Sequence, residues 1–203
     1  MLALVIIGMV GALTIPALKN SIEETHYKIS TKRIYSVVSA ALTKIKQDYG
    51  GDLRGVFTND TQTRNILCNE LNCVKTCDNS TTEGCFTGLA DAYFATGSLS
   101  WSQAGWQGLN GRGFITADGT QFVIDKSNSN CNYVAWNTYK LCAFLFVDIN
   151  GFKAPNKLGK DIHYIYIVNN ERSAGIPGYP GLDERGCTPS TGDRCEYAWV
   201  FTQ

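Results

Sequence analysis

The sequence predicts an α+β fold in which one long N-terminal helix packs on an antiparallel β-sheet that disulfides staple together. Three observations predict it: an uncharged apolar run opens the 203 residues, an amphipathic run follows directly, and the rest is rich in cysteines and hairpin patterns. We expect a membrane-spanning or filament-core half-helix over 1–18, an amphipathic stem over 19–49 and a globular head over 50–203.

The charges of the chain balance overall but are unevenly distributed. Lys and Arg number 18 and Asp and Glu number 18, which argues against a strongly basic nucleic-acid-binding protein. An aromatic content of 11% with a modest charged fraction of 18% excludes a largely disordered chain. Residues 19–48 hold six bases and three acids, so this stretch carries +3 and residues 49–203 carry −3. A basic stem therefore precedes a mildly acidic head.

The first eighteen residues contain no charged side chain. At 1.5 Å per residue, a helix of this length reaches roughly 27 Å, slightly less than a ~30 Å hydrocarbon core. A cleaved signal peptide is disfavoured because no Lys or Arg precedes the run and no small-x-small site follows it. A buried core helix is disfavoured because every face is apolar. The run therefore predicts a helix that lies in lipid or in an apolar filament core.

The helix is expected to continue without a break into the stem. No Gly or Pro occurs between Ile22 and Tyr49, and Gly50 and Gly51 then supply a stop. This predicts one helix of about 48 residues, roughly 70 Å long. The apolar residues of the stem recur at helical spacing on one face: Tyr27, Ile34, Val38, Ala41, Leu42 and Ile45.

The head has the pattern of a short helix followed by strands. Asp60 is predicted to cap a helix over 61–71. The Asp118-Gly119 pair lies between two β-rich runs and predicts a hairpin over 113–125. Apolar or alternating runs predict further strands over 141–147, 162–168 and 196–202. In the second of these, Tyr164 and Tyr166 are expected on the face opposite His163.

The eight cysteines predict a disulfide framework in an oxidising compartment, because their number is even and they lie in segments rich in turn-forming residues. Zinc is disfavoured by their spacing, and free buried thiols are the other alternative. Closeness in sequence favours two disulfides among the last four cysteines and leaves the first four cysteines to pair among themselves. The candidates are Cys68, Cys73, Cys77 and Cys85, then Cys131 with Cys142, and Cys187 with Cys195.

The segment LVIIGMVGALTIPAL over 4–18 resembles the N-terminal helix of type IV pilins and type II secretion pseudopilins. Gly8 and Pro16 fall at the positions of the family's glycine and proline. On this alignment Met1 falls at the seventh mature position, so we expect the leader and the family's glutamate upstream. Gly8 and Ala12 form a small-x-x-x-small pair that lets helices approach closely. Pro16 removes one backbone donor and loosens the helix locally. These three residues are the candidate helix-packing site.

The head resembles one subgroup of this family through ADGT over 117–120 and VDINGFKAPNKLGKD over 147–161. Major pseudopilins carry a calcium-bound loop, and Asp148, Asn150 and Asp161 supply the hard oxygen ligands that calcium takes. Three lysines in the same loop oppose a cation, and Asp-x-Asn-Gly is also ordinary turn chemistry. A structural turn is the preferred interpretation and calcium the weaker one, so no cofactor is expected.

The resemblance implies a non-enzymatic, pilin-like subunit of a type II secretion pseudopilus or a type IV pilus. Such a subunit sits in the bacterial inner membrane as a single-pass protein with its head in the periplasm. It then assembles with like subunits into a helical filament, on an assembly platform and after prepilin peptidase has processed the precursor. A separate ATPase is expected to drive the movement of the filament, since this sequence has no phosphate-binding loop.

No catalytic motif occurs in the sequence, and neither histidine has a nucleophile pattern around it. His26 is expected on the surface of the stem and His163 in the packing of a strand. The alternative function is a membrane-tethered binding or adhesion domain that does not polymerise. It would use an aromatic surface built from Trp101, Trp106, Trp136 and Trp199, although buried packing is the preferred role for these side chains.

Overall fold

The computed structural model describes residues 2–88, 93–94, 111–135, 139–170 and 174–177. Helix α1 is Leu2–Asp48 and helix α2 is Asp60–Glu70. In α1 the side chains are described without interruption from Thr25 onward, and before that only at Leu18, Ile22 and Glu23.

One mixed sheet accompanies the two helices. Its main order is β1-β3-β4-β6-β8-β7-β2, with β5 paired to β6 and β9 paired to β8. The strands are β1 Cys73–Cys77, β2 Tyr93–Phe94, β3 Arg112–Thr116, β4 Gln121–Ser127, β5 Tyr133–Ala135, β6 Tyr139–Asp148, β7 Lys157–Leu158, β8 Ile162–Val168 and β9 Gly175–Pro177.

The predicted fold class, α+β with one long helix packed on an antiparallel sheet, is wrong because the sheet is mixed. β7 pairs in parallel with both β2 and β8, so the sheet is mixed. β2 and β7 have two residues each, too short to leave an alternating pattern in the sequence. Within the described part of the chain, no helix combines the length and the apolar character needed to cross a bilayer. From Thr25 onward α1 carries several exposed charges, and the head covers the face that carries Ile34, Val38 and Ile45.

Helix α1 ends where the two glycines were expected to stop it. Gly50 and Gly51 adopt φ values of 75° and 89°, and their amides donate to Gln47 O and Lys46 O. These left-handed conformations cost glycine little and other residues more. The stem residues that enter the core are Ile34, Val38, Ala41, Leu42 and Ile45, each at most 8% exposed.

Helix α2 begins one residue earlier than predicted. Its N-cap is Asn59, whose side chain accepts from Gln62 N at 2.9 Å, and Asp60 is the first helical residue. Both residue types suit a cap, so the sequence alone does not separate them. The hairpin prediction is correct: β3 and β4 pair antiparallel around Asp118-Gly119.

Contacts between α1 and the sheet show that β8 runs in the same direction as the helix. Thr31 Oγ1 lies 2.9 Å from His163 Nε2, Tyr35 OH donates to Gly175 O at 3.0 Å, and Lys46 Nζ donates to Asn170 O at 2.5 Å. β6 is antiparallel to β8 and ends at Asp148. The end of the sheet that carries Asp148 therefore faces the N-terminal side of Thr31, and we call it the stem end of the head.

Three disulfides link the described cysteines: Cys68 with Cys73, Cys77 with Cys85, and Cys131 with Cys142. The expected pairing of Cys131 with Cys142, and of the first four cysteines among themselves, is confirmed. Cys187 and Cys195 lie outside the described residues, as does the strand predicted over 196–202.

Candidate functional site

Asp148 and Asp161 form a buried pair of carboxyl groups at the stem end of the head. Both side chains are 0% exposed. Asp148 is the last residue of β6, and Asp161 directly precedes β8. The backbone joins the two positions, because Ile149 N donates to Asp161 O at 2.9 Å. The structure therefore brings together the two acids that the sequence placed thirteen residues apart.

The two carboxyl groups have different hydrogen-bond partners. Asp161 accepts from two backbone amides, Asn156 N at 2.8 Å and Lys157 N at 2.6 Å, one on each oxygen. Asp148 accepts from Asn150 N at 3.1 Å through Oδ1, while its buried Oδ2 has no donor. Asp161 thus closes the loop between β6 and β8, whereas Asp148 is only partly satisfied.

Burial and mutual repulsion favour the protonated form of Asp148. Removal from water is the main cause that raises its pKa to about 8, and the nearby Asp161 charge adds to it. The amides of Asn150 and Gly151 oppose this rise. Burial also raises the pKa of Asp161, against the lowering effect of its backbone donors. Both shifts favour a proton held by the pair near neutral pH, and the Asp148 side carries the larger share of the cause because its Oδ2 has no donor.

Other buried side-chain oxygens near this pair also lack donors. Gln121 is the cross-strand partner of Asp148 in the β4–β6 register, and neighbouring side chains on one face of a sheet lie close together. The oxygens without a donor are Gln121 Oε1, Asn150 Oδ1 and Asn156 Oδ1. A protonated Asp148 offers one O–H to such acceptors, which is a physical reason for the proton to stay.

The calcium prediction for Asp148, Asn150 and Asp161 stays a prediction. The unpaired oxygens are hard ligands of the kind that calcium takes. Both oxygens of Asp161, however, are already occupied by amides. The described residues contain no group of three or more His, Cys, Asp or Glu side chains arranged to hold a metal. The backbone hydrogen bonds of the loop agree with the interpretation as a structural turn.

Helix α1 contacts this end of the sheet through Thr31 and His163, which are 2% and 1% exposed. Thr31 Oγ1 donates to Tyr27 O at 2.8 Å, so its single proton is used there and His163 Nε2 is the donor in the 2.9 Å contact. Tyr27 lies near enough that the charges of Asp161 and Asp148 raise its pKa, after burial as the main cause. The carboxyl pair therefore sits beside the stem.

A second candidate site is an exposed apolar stripe on α1. Leu18, Ile22 and Ile29 are 64%, 60% and 63% exposed. At roughly 100° per residue they fall within about 40° of one another around the helix. The buried Val38 and Ile45 lie roughly 140–180° away by the same count. The stripe is thus on the side of the helix that faces away from the head.

The predicted helix-packing residues Gly8, Ala12 and Pro16 fall within α1, in the part whose side chains lie outside the described residues. The four tryptophans of the predicted aromatic surface, Trp101, Trp106, Trp136 and Trp199, also lie outside them. His26 is exposed and His163 is buried.

Sequence reasoning missed Gln121, Thr31 and the apolar stripe. Gln121 could have been found from the hairpin, because it is the first residue of the strand that follows the Asp-Gly turn. Thr31 could not have been found, because its contact with His163 spans 132 residues. The stripe was hidden because the buried face of the stem dominated the pattern of apolar residues.

Comparison with protein-family models, with curated proteins and with solved structures finds no match for this chain. The function is therefore argued from the residues themselves.

Proposed function

We propose that the chain is a non-enzymatic structural subunit of a type II secretion pseudopilus or a type IV pilus. In this proposal copies of the chain assemble into a helical filament through α1, and the head decorates the filament surface. The observation that carries the proposal is the exposed apolar stripe of Leu18, Ile22 and Ile29 on the side of α1 that the head does not cover. The resemblance of residues 4–18 to the pilin N-terminal helix agrees with assembly through α1.

The stripe costs free energy as long as water covers it. Full burial of a Leu or Ile side chain stabilises by about 1.5–3 kcal/mol. Since these side chains are already partly covered, closing the stripe against a partner contributes on the order of 4–5 kcal/mol. Association of two proteins costs about 4–15 kcal/mol in lost freedom. Contact through the stripe alone is therefore weak, and stable assembly needs the uncharged residues of 1–17 and repeated contacts along a filament.

The location follows from the same proposal. Before assembly the uncharged N-terminal segment holds the subunit at the bacterial inner membrane, with the head in the periplasm. That compartment is oxidising, which suits the disulfides of the head. Moving this segment from lipid to a filament core replaces one apolar environment by another, so the transfer itself costs little. Prepilin peptidase, the assembly platform and an ATPase are the expected partners.

Charge on the stripe tests the proposal. We expect Ile22→Asp and Ile29→Asp to abolish filaments seen by negative-stain electron microscopy in the native host, because each variant buries a charge in the contact. Val74→Asp is the matched control, since Val74 is 68% exposed on the edge strand β1. Equal folding is checked by thermal unfolding of each purified chain. Wild-type filament numbers in both stripe variants would overturn the proposal.

A further inference from the structure

The loop between β6 and β8, residues 149–161, presents an exposed aromatic side chain beside basic ones. Phe152 is 57% exposed, and Lys153 next to it is also exposed. Lys157 and Lys160 follow in the same loop and are half-buried. In the described structure none of these three lysines forms a salt bridge. A large apolar group and unpaired positive charge thus share one loop.

Hydrogen bonds hold this loop in one shape. The Asp161 carboxylate fixes the amides of Asn156 and Lys157, and Asn150 Nδ2 donates to Ala154 O at 3.4 Å. Gly151 turns the chain with φ 70°, and a Cβ there would lie 3.1 Å from Gly119 O. The loop is therefore pressed against the β3–β4 hairpin. Phe152 stays exposed on this anchored loop.

The loop lies at the stem end of the head, on the side from which the uncharged part of α1 projects. Phe152 follows Asp148 by four residues, so it lies at most about 13 Å beyond the end of β6 at roughly 3.3 Å per residue. Val147, the residue before Asp148, pairs with His163, whose Nε2 lies 2.9 Å from Thr31 Oγ1, one helical turn after Tyr27. Leu18 is nine residues before Tyr27, or about 13 Å along the helix axis. The loop tip thus lies on the side of the head from which the uncharged segment extends.

The charge at this end of the head is mostly positive. Lys32 on α1 is exposed and belongs to the same end. Arg33 forms a salt bridge with Asp118 at 3.2 Å, which neutralises the negative charge at the hairpin tip. Glu23 is an exposed acidic residue of the stem. Asp148 and Asp161 are buried within the loop base and face no solvent. The stem end of the head is therefore complementary to a surface that is negatively charged and can take up the aromatic ring of Phe152.

We propose that the loop tip, Phe152 with Lys153 and Lys160, docks onto an anionic lipid surface. Aromatic side chains favour the boundary between headgroups and acyl chains, and lysines near an anionic surface are attracted to it. The inference rests on the proposed attachment of the subunit to a membrane. Docking would set the tilt of the head before assembly and would be released when the subunit leaves the bilayer.

Lysine labelling on vesicles tests the docking. The full chain is reconstituted in vesicles of phosphatidylcholine alone or of phosphatidylcholine mixed with phosphatidylglycerol, then labelled with an amine-reactive ester and mapped by peptide mass spectrometry. We expect labelling of Lys153 and Lys160 to slow about fivefold on the anionic vesicles, the size set by the attraction of one lysine. Lys126 and Lys140 are internal controls, because they lie toward the other end of β4 and β6.

Phe152→Ala should remove most of the protection at Lys153. Tyr133→Ala is the matched control, since Tyr133 is 58% exposed at the other end of the head, and it should leave the protection unchanged. Equal labelling of Lys153 on both vesicle types would overturn the docking. Protection that appears without vesicles as the protein concentration rises would also overturn it, by assigning the loop to a second copy. Loss of filaments in the stripe variants leaves this measurement unaffected, so the two proposals fail separately.

Discussion

Replacement of Asp148 by Asn probes the buried carboxyl pair most sharply. Asp148 is fully buried, its Oδ2 lacks a donor, and Asp161 lies close enough to repel its charge. Asn has nearly the same shape and no charge. Its NH₂ group can donate to neighbouring oxygens that lack a donor, such as Gln121 Oε1, so the substitution removes a cost without leaving a new polar group unpaired.

The magnitude follows from the pKa of Asp148, which rises from 3.8 to about 8 in the fold. Between these values the folded state binds a proton that the unfolded state releases, so the free energy of unfolding falls as the pH rises. The full difference is on the order of 5 kcal/mol, with a slope of up to about 1.4 kcal/mol per pH unit. We expect Asp148→Asn to match the wild type near pH 4 and to exceed its stability by about 2–4 kcal/mol near pH 8.

The assay is urea unfolding followed by circular dichroism across this pH range, with a chelator present. Asp161→Asn provides the contrast, because both oxygens of Asp161 accept backbone amides and an amide side chain would turn an N–H toward one of them. We therefore expect Asp161→Asn to destabilise by about 1–3 kcal/mol. An Asp148→Asn chain that is no more stable than wild type near pH 8, or that keeps the wild-type pH dependence, would refute the reasoning.

Three further predictions concern the core, the disulfides and calcium. Leu42→Ala should cost about 2–5 kcal/mol in urea unfolding, because Leu42 is fully buried, while Ser36→Ala on the exposed side of the same helix should change little. The double variant Cys131→Ser, Cys142→Ser opens a loop with a sequence separation of 11 and should lose about 3 kcal/mol, and an unchanged midpoint would contradict this. Calcium should leave the thermal midpoint of the wild type near pH 7 unchanged relative to a chelator, and a rise of several degrees would assign the unpaired oxygens to a cation.

Much of the head could be predicted where one residue pattern covered a whole element. The Asp118-Gly119 pair defined the hairpin, and alternation defined β8, with Ile165 on the helix-facing side and Tyr164 on the other. The helix stop at Gly50 followed from local conformation alone. These features depend on neighbours within a few residues, which is the range over which sequence patterns carry information.

The rest depended on contacts between distant residues. The parallel pairing of β7 requires the loop from Asp148 to Asp161 to fold back on itself. A strand of two residues is too short to show an alternating pattern in the sequence, so this pairing could not be predicted. The sequence named the two acids as candidate ligands, but their burial and the proton on Asp148 follow from the register of β6 with β4 and β8. The exposure of Ile29 depends on which face of α1 the head covers.

Photo-crosslinking from position 29 tests the central claim most directly. A photoreactive residue replaces Ile29 in the full chain, cells are irradiated during filament assembly, and crosslinked peptides are identified by mass spectrometry. The account predicts crosslinks from position 29 to α1 of a second copy of the chain. Crosslinks that run only within one chain, or only to unrelated proteins, would contradict assembly through this face of the helix.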